Sequence, residues 1–159
     1  MPEPVDVVVT TRNRPELLRE ALAAIRAQDH AGVVTTHVVF DGCAADHSVA
    51  DSDPMRPVRV LTNLRTPGLA GGRNTGIEAG SAPYVAFCDD DDLWRPDKLS
   101  RQVPELVRGH DTVVSGITVV YADHEVVRIP RSEDLELATL VRRRVMEAHP
   151  PPSSYDAAH

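Results

Sequence analysis

Four consecutive carboxylates, Asp89 to Asp92, stand directly after the apolar run Tyr84 to Cys88 and directly before Leu93 and Trp94. Carboxylate oxygens are hard donors that suit Mg or Mn, ions that keep coordination positions for diphosphate oxygens. Adjacent negative charges at the end of a buried strand repel one another unless solvent, hydrogen bonds or a cation offset the repulsion. The chemistry on offer is orientation of a diphosphate through a divalent ion and stabilisation of charge as it leaves. The competing structural use is a solvated turn that caps a helix starting near Pro96, with Asp92 as the cap.

Three other groups could join that chemistry. Asp41 ends the run from Val33 to Phe40 and precedes Gly42. A carboxylate there can accept from a ribose hydroxyl or a base N–H, whereas an Asx turn is the local alternative. Thr10 ends the β-branched run that starts at Val5, although a strand-end Thr can simply satisfy a backbone group. Gly68, Gly71, Gly72 and Gly76 surround Arg73 and Asn74. Small residues there permit either close approach of a phosphate, with Arg73 adding positive charge, or tight packing of a helix start. The spacing matches neither a P-loop nor a GxGxxG fingerprint. The histidines lack metal-ligand spacing.

The elements that must position these residues alternate. A strand from Val5 to Thr10 leads through a polar turn to a helix opened by Pro15, with Leu17, Leu18, Ala21, Leu22 and Ile25 as its apolar stripe. That helix start can turn free N–H groups towards an anion. Strands follow at Val33 to Phe40, Val58 to Leu61 and Tyr84 to Cys88, with a helical face between Leu69 and Ala79. Pro96 to Arg108 reads as a helix that Pro104 kinks or interrupts. Val113 to Val120 and Glu125 to Ile129 read as a hairpin, and Asp134 to Glu147 as a last helix. This order predicts an α/β fold with a mostly parallel central sheet and flanking helices. A domain over residues 1–150 and an irregular tail over 151–159 are expected.

With 159 residues, 42% of them hydrophobic and only six aromatic, the chain is sized for one core built from aliphatic side chains. A formal net charge of -7 argues against a general nucleic-acid surface while leaving a single nucleotide possible. Cys43 and Cys88 make no disulfide framework, so a reducing, cytoplasmic setting is the expectation. No apolar run reaches membrane-spanning length, and Met1 to Asp6 lack the order of a signal peptide.

Four blocks carry a family resemblance: VVVTTRNRPELL at Val7 to Leu18, VVFDG at Val38 to Gly42, GLAGGRNTGIEAG at Gly68 to Gly80 and YVAFCDDDDLWRPDKLSRQV at Tyr84 to Val103. Together they resemble glycosyltransferase family 2, with its nucleotide-diphospho-sugar transferase fold. The resemblance implies donor contacts at Thr10, Asp41 and Asp90, with Arg73 on the donor side. It implies metal ligation at Asp89 and above all Asp91, matching an Asp-any-Asp motif, with Mn or Mg as cofactor. The implied reaction is inverting transfer of a sugar from a nucleoside-diphosphate sugar to an acceptor hydroxyl. Phe40 and Cys43 depart from the commoner Asp and Ser of the family.

The chain reaches His159 soon after HPPPSS at His149 to Ser154, before the acidic segment that supplies the family's catalytic base. The resemblance therefore implies a C-terminally incomplete fold with the base and acceptor unassigned, and an uncovered apolar patch favouring homo-oligomers. A donor-binding fragment without turnover is the main competing function. A sugar-phosphate nucleotidyltransferase is the other, and the missing Gly-rich, Lys-containing N-terminal signature argues against it.

Overall fold

The computed structural model describes residues 2–131. They divide at His110 into two compact units. In the first, β1 (Val5–Thr11), α1 (Pro15–Arg26), β2 (Val34–Phe40), a single 3-10 turn (His47–Val49), β3 (Val58–Thr62), α2 (Leu69–Ala79), β4 (Tyr84–Asp89) and α3 (Lys98–Val107) follow one another. The four strands form one parallel sheet in the order β3-β2-β1-β4. In the second unit, β5 (Ile117–Val120) pairs antiparallel with β6 (Glu125–Arg128), closed by a bond from Tyr121 N–H to His124 O at 2.8 Å. The parallel sheet with helices is the expected fold class, and the helix expected from Asp134 lies outside the described residues. No helix among the described residues is long and apolar enough to cross a membrane.

The two faces of the sheet are built differently. Val5, Val7 and Val9 of β1 share a core with Val34, Val38 and Phe40 of β2, Cys88 of β4, Leu18, Ala21 and Ile25 of α1, and Leu99 and Val103 of α3. Alternation along a strand sends Asp6, Val8 and Thr10 to the other face. There α2 lies so close that a Cβ on Gly72, Gly76 or Gly80 would run into Thr10, Val8 or Asp6 respectively. These glycines are four residues apart, so they line one side of the helix. The glycine-rich block therefore resolves towards the packing alternative at Gly72 and Gly76.

Pro104 neither ends nor splits α3, which runs through it for ten residues. The turns are local: Gly42 has a φ of 65° and Gly68 a φ of 118°, both left-handed and both suited to glycine.

Asp6 is the charged residue under α2. Its Oδ2 accepts from Ser81 N–H at 2.6 Å and Ala82 N–H at 2.7 Å, and its Oδ1 lies 3.0 Å from Nε2 of the fully buried His37. Burial by itself would raise the Asp6 carboxyl, but the bonds from Ala82, His37 and Ser81 outweigh it and hold the group below its usual value of 3.8. A depressed carboxyl contributes stability that is complete above its unfolded value and disappears as pH falls through the native one.

Two outcomes follow from this packing. Gly76→Leu forces α2 off β1 and lowers unfolding free energy by about 1–3 kcal/mol, measurable by urea denaturation. Asp6→Asn costs about 1.5–3 kcal/mol near neutral pH. It also flattens the fall in stability as pH drops below 3.8, which a series of urea curves across that range reads directly.

Candidate functional site

A parallel sheet exposes its strand ends along one edge, and ligands gather where the strand order reverses. Here β1 is followed on one side by β2 and β3 and on the other by β4, so the reversal falls between β1 and β4. Their register sets Thr10 beside Asp89. The chain then turns through Asp90 and Asp91, closed by Asp92 N–H to Asp89 O at 3.1 Å.

The acids separate in direction and partner. Asp89 accepts from Arg73 Nη2 at 2.9 Å, while the guanidinium of Arg73 lies 5.2 Å from the centre of the Phe87 ring. Asp90, only 6% exposed, accepts from Thr11 Oγ1 at 2.8 Å and Arg14 Nη1 at 3.2 Å. Asp91 accepts from the same Nη1 at 3.0 Å with half its side chain open to solvent. A buried carboxylate needs such donors to remain charged. The turn is therefore a site of paired acids with two arginines rather than a plain solvated run.

Asp92 is different. Although Asp92 is exposed at the surface, desolvation by the neighbouring protein first, then the charges of Asp89 and Asp91, push its carboxyl up, with Lys98 opposing. Burial lowers Lys98 against the pull of Cys88 and Asp92, and its ammonium sits 5.1 Å from the Trp94 ring centre. Trp94 itself packs on the core beneath. Asp92 makes no cap bond to α3, whose N-cap is Asp97.

Asp41, also 6% exposed, reaches across rather than along the chain. Its Oδ1 accepts from Asn63 Nδ2 at 2.6 Å and its Oδ2 from Gly68 N–H at 2.8 Å. It thereby fixes the entry to α2, and neither bond is a local Asx turn. Its own N–H donates to Thr11 O at 3.0 Å, which brings the Asp41 backbone beside β1. Thr10 points to the α2 face against Gly72, and its Oγ1 is buried without a hydrogen-bond partner among the described residues.

On the opposite face, an open cleft of about 170 Å³ is lined by Thr11, Arg14, Leu18, Phe40, Cys43 and Asp46, among others. Two of its walls, Thr11 and Arg14, are the residues that hold Asp90. Gln28 anchors the far end of the acidic segment: Nε2 donates to Arg95 O at 2.7 Å and Oε1 accepts from Leu99 N–H at 3.0 Å.

The fold thus gathers Asp89, Asp90, Asp91 and Arg73 with Thr10 at one end of the sheet, and Asp41 one strand away. Thr11, Arg14, Asn63 and Gln28 were not singled out by sequence. The signal for Arg14 was its place just before Pro15, where a turn at a strand end meets a helix start. Among the described residues, no group of three or more side chains is arranged as a metal cage.

Comparison with known proteins agrees with this architecture. The profile of glycosyl transferase family 2 matches residues 6–153, and the chain belongs to that family. It is 33% identical over 139 residues to the succinoglycan biosynthesis protein ExoO of Rhizobium meliloti, covering 86% of this chain and 39% of that protein. It is 25% identical over 126 residues to the Escherichia coli glucosyltransferase WfgD, covering 77% and 46%. The chain thus spans less than half the length of either relative. The mannosyltransferase PcManGT of Pyrobaculum calidifontis, solved with GDP-Man and Mn2+, shares the fold with a TM-score of 0.57 at 24% identity, covering 75% of this chain and 35% of that one.

The two thiols provide a check on this geometry. Cys88 is 2% exposed, and burial, then Asp92 and Asp89, push it up to about 12, with Lys98 opposing. Cys43 is half-buried on the cleft wall. A thiol reagent at about pH 8, where only exposed or acidified thiols react, labels Cys43 in the native protein and Cys88 only after denaturation. Peptide mass mapping of the label distinguishes them.

Proposed function

We propose that the chain is the donor-binding part of a metal-dependent glycosyltransferase, which transfers a sugar with inversion from a nucleoside-diphosphate sugar to an acceptor hydroxyl. The observation that carries this reading is the run Asp89 to Asp91 at the reversal of strand order. There it lies against Thr11 and Arg14, with a cleft on the same two residues. Relatives named as a glucosyltransferase and a mannosyltransferase support it.

Asp89 and Asp91 are half-exposed hard donors. Their number is what Mg or Mn takes from protein when phosphates and water complete the shell. Asp91, with Asp89 beside it, would hold the ion, and the ion when bound would neutralise charge on the departing diphosphate. Arg14 and Arg73 bring two fixed-charge forks to the same edge, suited to phosphate oxygens. The cleft between Phe40, Cys43 and Thr11 would take the nucleoside, with Asp41 and Asp90 holding the strand ends that frame it. Asp41 is assigned to the base and Asp90 to the ribose, in keeping with the family.

Calorimetric titration of the chain with UDP and with GDP, with and without Mn, tests the reading. One of the two binds with Mn present, and omitting Mn weakens it roughly tenfold or more, in keeping with loss of a divalent bridge between carboxylate and diphosphate. Asp91→Asn abolishes the Mn effect while the fold, checked by circular dichroism, persists. Binding indifferent to Mn, or absent from a folded sample, defeats the assignment.

A further inference from the structure

The acidic turn carries its own counter-ions, and they are not equivalent. Arg73 is braced by Phe87 and has a side chain 36% exposed. Arg14 is 51% exposed and spans Asp90 and Asp91 through one nitrogen, Nη1. If Arg14 turns away, Asp90 keeps the hydrogen bond from Thr11 but loses its ion pair, so the move needs a partner of higher charge to drive it. Asp91 needs no replacement because half of it faces solvent. Arg14 thus leaves the acids only for a stronger anion, and until then its charge stands where a divalent ion would approach Asp91.

A free cation therefore meets a carboxylate already paired and a guanidinium beside it. A nucleoside diphosphate changes that balance, because phosphate oxygens offer the guanidinium a partner of higher charge and matching fork geometry. We propose that Arg14 is an internal counter-ion that disfavours free Mn or Mg at Asp91 and moves to the diphosphate when it arrives, so that cation and nucleotide bind as a coupled pair. The inference rests on the donor-site reading above and adds an order-setting role for one residue. Coupling of this kind is reciprocal: the nucleotide strengthens the cation by the same factor that the cation strengthens the nucleotide.

Mn binding can be followed without turnover through loss of the free-ion signal in electron paramagnetic resonance. Wild type, Arg14→Gln and Arg14→Lys are titrated with Mn alone and with Mn plus UDP or GDP. Arg14→Gln binds Mn alone roughly fivefold or more tightly than wild type, as expected when a unit charge a few ångströms from a divalent ion is removed. Its nucleotide-induced gain in Mn affinity shrinks. Arg14→Lys, which keeps the charge but not the fork, lies between, and it carries the test if the Gln variant does not fold. Arg26→Gln, which removes the same charge at the remote pair with Asp51, leaves both values unchanged.

Equal Mn affinity and equal coupling in wild type and the Arg14 variants overturn the inference, while Mn binding that still requires nucleotide keeps the donor site. Absence of Mn binding even with both nucleotides defeats the donor-site reading and the inference together.

Discussion

The bond from Thr11 Oγ1 to Asp90 Oδ2 closes a separation of 79 residues and joins the ends of β1 and β4. It exists because the two strands run parallel in a register that sets Thr10 opposite Asp89. A slip of one residue would exchange the faces of the strand, sending Asp89 into the aliphatic core and Asp90 under α2. The register is in turn held by Val5, Val7, Val9 and Cys88, all buried in one core with α1 and α3. An apolar face thus decides where each carboxylate points.

The other face imposes a different constraint. Helix α2 approaches β1 on glycines, and its entry is fixed by Asp41 through Asn63 and Gly68. That approach delivers Arg73 to Asp89, so the packing of a helix and the pairing of an acid are one event. On the α1 face, Gln28 and Arg56 do comparable work with neutral partners: Arg56 Nη1 donates to Gly32 O at 2.8 Å and its Nη2 to Gln28 O at 3.1 Å. Buried polar groups throughout this unit are paired with few exceptions, which gives the acidic edge a rigid frame.

Much of this was legible in sequence for identifiable reasons. Aliphatic runs ending in Thr, Asp-Gly or acids marked the carboxyl ends of β1, β2 and β4 to within one residue; β1 and β2 are buried on both faces, whereas β4 leaves Val85 and Phe87 exposed on one. Helix α2 was bounded correctly at Leu69 and Ala79, yet its glycine spacing left ligand binding open beside the favoured packing use. Only the approach to Val8 and Thr10 decides between them. The partners of Asp41 and Asp90 were hidden because they are 22 to 79 residues away, and no periodicity encodes such pairs. Pro104 does not interrupt α3, which continues through it to Val107.

In the proposed function, the end of β4 is where a nucleoside diphosphate meets a cation. A crystal structure of the chain grown with Mn and the tighter of UDP or GDP, using anomalous scattering from Mn, tests it most directly. One strong Mn peak is expected in contact with both Asp91 and the diphosphate, with the nucleoside in the cleft between Phe40, Cys43 and Thr11. A Mn peak away from Asp91, or a nucleotide bound away from the carboxyl ends of β1 and β4, would contradict it.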